Sequence, residues 1–490
     1  VTLSAVDAIA KATAPVDPTD HGSIARALVQ VDVSMVEEVM HASSGATGEL
    51  VGIGLGASPG RAAGMVVRSV DEALAAYDRG DAVVFVSVET SPTDEPALQV
   101  AAAVVTARGG LASHAAVLAR DLGIPAVCGF AELAALVDRE SILVDGASGE
   151  VRVVERGPVD ESPAPDEVPA ALATLLEWAD QVASPRLEVR ANVDLAPSAR
   201  RARRFGAKGV GLCRIEHVFL GARVAVLRQA ARGDADAREE VGRLLRDELV
   251  ELLVEMDDLP VVVRMLDAPV HEFGEGTEHN PMLGLRGVRA AIVDEPLARA
   301  QLQAIADAVA TRRASGGRPR VEVLVPLVSL PAELELVGGW VREVTGLPVG
   351  VMIETPRAAL AADRLAPLVE SFSFGTNDLT QLTYGWSRDD LDGQLLPTYR
   401  DRGIVDVSPF ETLDAGAVVR LMALAIETGR AANPDLRVGL CGEQAAEPRS
   451  IEIALQLGID HVSCAPGRVP GARLAAGKAV LATHATAGGC

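Results

Sequence analysis

The sequence predicts an α/β protein in which a small α/β domain is followed by a (β/α)8 TIM barrel. Hydrophobic residues fill 49% of the 490 positions but aromatic ones only 3%. The cores are therefore Val, Leu, Ile and Ala, the composition of parallel strands covered by helices. In the second part of the chain eight short apolar runs alternate with helical patterns, as a barrel of eight βα units requires. Between the two parts, Glu155 to Pro169 holds four prolines (Pro158, Pro163, Pro165 and Pro169) among five acids. Such a tract is stiff and solvated, and it cannot build a core.

In chain order, residues 1–50 read as a short helical N-terminal arm and linker, broken near Pro15 and Pro18 and ending in small residues from Ser43 to Gly48. Residues 51–154 form the small domain, with Val-rich strands such as 82–88 and 102–106. Residues 155–180 are the Pro-rich hinge, and residues 181–490 the barrel. Its strand candidates are 187–191, 209–213, 261–266, 321–325, 349–353, 372–375, 438–441 and 461–464.

Charge narrows the function. The chain carries 45 basic and 68 acidic side chains, a net charge of −23. Binding nucleic acid or an anionic membrane needs Lys or Arg at each phosphate, so neither is expected as a partner. A small anion needs only two or three well-placed arginines. The five cysteines are scattered and form no Cys-x-x-Cys pair, which disfavours a disulfide framework or structural zinc. With no apolar leader in the first thirty residues and no run of ~20 apolar residues, the expectation is a soluble cytoplasmic protein.

In the small domain a strand runs into Gly109-Gly110-Leu111-Ala112-Ser113-His114 and a helix opens. Free N–H groups at a helix start favour an anion. A neutral imidazole there is a good nucleophile near pH 7, suited to carry a phosphoryl group. The alternative is that His114 merely begins a helix. This segment, with Gly56-Ala57-Ser58-Pro59-Gly60 and Glu89-Thr90-Ser91-Pro92-Thr93-Asp94, resembles the swivelling phosphohistidine domain of enzymes that use phosphoenolpyruvate (PEP), among them the pyruvate, phosphate dikinases. The resemblance implies that His114 is the covalent phosphoryl carrier. That family usually has Thr two residues before the histidine, a site of regulatory phosphorylation; this chain has Ala112.

Active sites of (β/α)8 barrels gather at the C-terminal strand ends. There the sequence places Arg214, Arg264, Glu354, the tetrad Gly375-Thr376-Asn377-Asp378, and Cys441. Two carboxylates from separate strands suit a hard cation such as Mg²⁺, and arginines suit a substrate bearing phosphate and carboxylate. Each residue alone could instead be a strand-end ion pair. The run from Arg264 to Phe273, the run from Glu278 to Gly287, and Pro466-Gly467-Arg468 resemble the PEP/pyruvate barrel of pyruvate, phosphate dikinase, in the same order. By that resemblance Arg214 and Arg264 bind phosphate and carboxylate, and Glu354 and Asp378 bind substrate and Mg²⁺. Gly375, Thr376 and Asn377 line the substrate, and Cys441 protonates the enolpyruvate carbon. The family's usual His three residues after the cysteine is here Gln444.

The expected reaction is reversible phosphoryl transfer between PEP and His114, giving pyruvate. About 50 residues precede the phosphohistidine domain, too few for a nucleotide-binding domain, so the ATP half-reaction is expected to be missing or in a separate protein. Two other readings stay open: a PEP-dependent donor to a carrier protein, and a non-catalytic PEP/pyruvate sensor. The resemblance also implies a homodimer through the barrel.

Overall fold

In the computed structural model the described residues are 5–14, 16–17, 19–41, 48–58, 60–79, 81–90, 94–110, 113, 115–116, 118–119, 124–136, 141–154, 168–184, 186–219, 223–267, 278–388, 391 and 395–487. Sixteen strands among them form two sheets.

The small domain holds β1 (Glu49–Ile53), β2 (Leu55–Ser58), β3 (Arg61–Val67), β4 (Val83–Ser87), β5 (Ala103–Thr106), β6 (Ala126–Cys128), β7 (Ser141–Asp145) and β8 (Glu150–Val153). Their order is β1-β8-β7-β3-β4-β5-β6-β2. β3, β4, β5 and β6 run parallel, while β1, β8, β7 and β3 pair antiparallel and β2 adds antiparallel to β6. β1 and β2 lie on opposite edges although only Gly54 separates them, so the sheet curls until its edges approach one another. Apolar side chains line both faces: Phe85 and Val104 on one, Val84 and Val105 on the other. The runs predicted at 82–88 and 102–106 are β4, one residue shorter at each end, and β5, which lacks only Ala102.

The second sheet closes on itself. β9 (Glu188–Asn192), β10 (Val210–Arg214), β11 (Pro260–Arg264), β12 (Arg320–Val325), β13 (Val349–Ile353), β14 (Ser371–Gly375), β15 (Arg437–Cys441) and β16 (His461–Cys464) follow one another round a parallel barrel. β16 pairs back to β9, with Val462 opposite Val189. All eight predicted runs are strands. One is shorter than expected: 261–266 leaves the ladder after Arg264, because Asp267 turns inward to meet two arginines.

The hinge expected at 155–180 is only partly testable, since 155–167 lie outside the described residues. Its last part is not a hinge but the helix Ala170–Ala183. Leu172, Leu175, Leu176, Trp178, Ala179 and Ala183 recur at helical spacing and are buried. They share one hydrophobic core with the barrel, with the C-terminal helix Val469–Ala487, and with the arm helices Ala5–Thr13, His21–Gln30 and Val33–His41. The helix is pinned by Asp180, which accepts from Arg473 Nε and Nη2 at 2.9 Å each and from Lys208 at 2.8 Å. Among the described residues no helix is long and apolar enough to cross a membrane.

Removing one partner of a buried pair leaves the other charge uncompensated. Asp180→Ala is therefore expected to destabilise the barrel by about 3–5 kcal/mol, read as a lower urea midpoint, with Asp180→Asn costing less. An unchanged midpoint in the alanine variant would show that the Ala170–Ala183 helix is not held this way.

Candidate active site at the barrel mouth

Each β-strand of the barrel points its last residue toward one mouth. Arg214 ends β10, Arg264 ends β11, Gly375 ends β14 and Cys441 ends β15, while Glu354 follows β13. Strand geometry thus brings the predicted residues to one end of the barrel.

The arginines are held in an alternating circuit of charge. The Arg214 backbone N–H and its Nη2 donate to Asp194, each at 2.9 Å, and His217 Nδ1 lies 2.7 Å from the same carboxylate. Burial opposes ionisation of Asp194, but Arg214 and His217 outweigh it and hold the carboxyl well below the usual range. Arg264 pairs with Glu216, and its Nη1 lies 3.1 Å from Asp267. Arg286 grips Asp267 at 3.1 and 2.8 Å and reaches Asp378 with two contacts of 3.2 Å. Burial works against the charge on Arg264 and Arg286, yet these carboxylates raise both above the ordinary guanidinium value. Arg264 Nε and Glu216 Oε2 are buried with no hydrogen-bond partner among the described residues.

Glu354 is 1% exposed and accepts the Leu327 backbone N–H at 2.5 Å. Leu327 takes a left-handed φ of 56° to present that group. Burial, then the charges of Asp267 and Asp378, push the Glu354 carboxyl up to about 8, while Arg286 and Arg264 pull the other way. Gly375 passes directly beside it: a Cβ there would lie 2.7 Å from Glu354 Oε2. Thr376 donates to Gln444 at 2.7 Å, and Asn377 donates to Glu443 at 3.2 Å. Among the described residues no three His, Cys, Asp or Glu side chains converge as a metal site. Glu354 and Asp378 could hold a divalent cation only with substrate and water completing its shell.

Cys441 sits in a small apolar cluster with Leu212, Val262, Leu324 and Met352. Its Sγ is 3.2 Å from Ser373 Oγ and 3.6 Å from the Phe374 carbonyl. Burial, which the Ser373 contact only partly offsets, pushes the thiol up to about 11. At neutral pH it is a protonated acid.

His114 lies outside the described residues, as does Ala112. Around it, Gly109 has φ 108°, and a Cβ there would lie 2.8 Å from Ser113 Oγ. Ser113 Oγ donates to the Gly110 carbonyl at 2.8 Å and accepts the Ala116 N–H at 3.4 Å, opening a helical turn at 115–116. The glycine pair and the helix start expected from the sequence are both present.

Sequence reasoning missed Asp194, Glu216, Asp267 and Arg286 as members of the site. Arg286 lay in plain view in a motif, but its partners are 19 residues before it and 92 after, beyond any local spacing signal.

A parallel barrel whose mouth joins guanidinium–carboxylate pairs to a protonated thiol, linked to a smaller α/β domain, defines a two-domain barrel enzyme. More particularly, the chain belongs to the PEP-utilising enzyme family: residues 169–480 match its PEP-binding domain and residues 80–149 its mobile domain. It is 38% identical over 527 residues to pyruvate, phosphate dikinase of Rhizobium meliloti (strain 1021), covering 95% of this chain and 58% of that one. It is 35% identical over 528 residues to the same-named protein of Clostridium symbiosum, covering 95% and 60%. Pyruvate, phosphate dikinase 1, chloroplastic, of Arabidopsis thaliana is 38% identical over 518 residues, covering 93% and 53%. The chain thus spans a little over half the length of these relatives.

A thiol shifted from the ordinary ~8.5 to about 11 holds on the order of a hundredfold less thiolate near pH 8. Iodoacetamide should therefore modify Cys441 far more slowly than free cysteine at pH 8, as followed by peptide mass spectrometry. Modification at the rate of free cysteine would mean that the thiol is not held neutral.

Proposed function

We propose that the two domains carry out reversible phosphoryl transfer between PEP and His114, giving pyruvate, as a pyruvate, phosphate dikinase-like phosphotransferase. In the forward direction an imidazole nitrogen of His114 attacks the phosphorus, an N–P bond forms and the P–O bond to enolpyruvate breaks. The enolpyruvate then takes a proton at its methylene carbon from Cys441 and becomes pyruvate, leaving a thiolate that regains a proton from solvent. The observation that carries this reading is a neutral, buried thiol set among arginines and carboxylates at one barrel mouth, in a chain whose relatives are dikinases.

Arg214 and Arg264 are suited to the phosphate and carboxylate. Fixed guanidinium charge in a site of low dielectric stabilises negative charge as it develops, and Arg264 Nε, without a partner among the described residues, is a donor suited to a substrate oxygen. Gly375 keeps the Glu354 wall open, and Thr376 and Asn377 flank the substrate. Mg²⁺ is assigned to Glu354 and Asp378: burial, with the charges of Asp267 and Asp378 added to it, raises the Glu354 carboxyl to about 8, and a cation beside it would favour the ionised form. When bound, it supplies positive charge to the phosphate and enolate oxygens.

The small domain would deliver His114 to the mouth by swinging on the tract 155–169. Phosphohistidine then exchanges with an acceptor, for which a nucleotide-binding unit is favoured over a carrier protein by the dikinase relatives.

With PEP carrying labelled phosphate and Mg²⁺, the parent should acquire an acid-labile, alkali-stable label that His114→Ala abolishes. In Cys441→Ala, methyl-proton exchange of pyruvate by the phosphorylated enzyme should fall by about 10²-fold or more. Equal labelling of His114→Ala would remove the carrier assignment, and full exchange in Cys441→Ala would remove the acid.

A further inference from the structure

The turn after Cys441 carries two residues that the chemistry above does not use. Gly442 begins it with φ 167°, extended backbone open to any residue, so its need for glycine is spatial: a Cβ would lie 2.1 Å from Thr376 Oγ1. That close approach brings the short 3₁₀ turn Glu443–Ala446 against the start of the helix Thr376–Tyr384. Gln444, fully buried, accepts from Thr376 and donates Nε2 to the Pro409 carbonyl at 3.1 Å. Glu443 meets Asn377 twice: Oε1 accepts from Asn377 Nδ2 at 3.2 Å, and the Glu443 N–H donates to Asn377 Oδ1 at 3.4 Å.

Such a paired contact decides which way an amide faces. The two ends of an Asn side chain have nearly the same shape but opposite hydrogen-bond character. Turned over, Asn377 would set its oxygen against a carboxylate and its N–H against another N–H. Only one orientation is allowed, and it leaves one N–H of the amide for a third partner. The Glu443 carboxylate would repel an anionic substrate, but Arg388 Nη1 lies 2.6 Å from Oε1 and neutralises it. Arg388 is itself placed from the same helix: Gln381 Oε1 accepts its backbone N–H at 3.0 Å, beyond a left-handed Gly385 at φ 67°.

We infer that Glu443 is a positioning residue for Asn377, fixing its amide so that one N–H faces the substrate, and that Arg388 is the counter-charge that makes Glu443 tolerable there. The substrate-facing half rests on the reading that Asn377 lines the PEP/pyruvate site. The clamp itself rests only on the contacts.

The chain contains four asparagines, Asn192, Asn280, Asn377 and Asn433, so ¹⁵N-asparagine labelling yields four side-chain amide pairs, and Asn377→Asp assigns the relevant one. Glu443→Ala should move the Asn377 pair and leave the other three in place. Glu443→Gln, which keeps the side-chain shape, should move it too. Arg388→Ala should shift it less, and Arg388→Lys should restore it. An Asn377 pair unmoved in both Glu443 variants overturns the inference.

PEP affinity in the presence of Mg²⁺, measured by calorimetry, supplies the second arm. Asn377→Ala and Glu443→Ala should each weaken binding about tenfold, the loss of one hydrogen bond to a charged group. The double variant should be no weaker than either, because both remove the same interaction. Multiplied losses of about a hundredfold, the additive result, would overturn the positioning role. If the parent chain does not bind PEP while the amide pair responds as described, the PEP reading fails and the clamp stands. The reverse result removes the clamp alone.

Discussion

The barrel mouth depends on one interaction: charge alternating from Asp194 to Arg214, from Glu216 to Arg264 to Asp267, and on through Arg286 to Asp378. Each of these groups is wholly or largely withdrawn from water, and an isolated buried charge costs several kcal/mol. The circuit makes that burial tolerable, because nearly every charge has an opposite neighbour contributed by a different strand end or loop. It also leaves the site poised. Glu354 sits beside the circuit without a guanidinium of its own, held by a backbone N–H, and its carboxyl rises accordingly.

Space acts alongside charge. Gly375 and Gly442 both stand where a single methyl group would strike a working side chain, Glu354 in one case and Thr376 in the other. Neither has a positive φ among the glycines that require one. These glycines serve packing rather than turning, and the two contacts draw β13, β14 and β15 together at the mouth.

The barrel was legible in the sequence because its signal is local. A buried parallel strand is a short Val- or Leu-rich run, and the polar residue that ends it is the one presented at the mouth. Arg214, Arg264, Glu354 and Cys441 could be read from that rule. The link from Arg286 to Asp378 could not, because it joins residues 92 apart that meet only once the sheet closes. The hinge was misjudged at its far end for a related reason: prolines announce themselves, whereas Ala170–Ala183 is fixed as barrel helix by Arg473, 293 residues away. Gln444 looked like a departure from a familiar pattern, yet it is fully used, between Thr376 and Pro409.

The shared core of the arm, the helix Ala170–Ala183 and the C-terminal helix has a consequence for how the chain folds. Lys478 donates to the Val31 carbonyl across 447 residues, so the arm helices find their packing partner in a segment far along the chain. Closing so long a loop is entropically slow, and contacts of such high sequence separation form late. Until the C-terminal helix is made, the contacts of Ile9, Ile24, Leu28 and Val36 in the barrel core stay incomplete, while the small domain can fold as its own unit. The barrel body is thus one folding unit with the small domain inserted into it, and its completion waits on the helix Val469–Ala487.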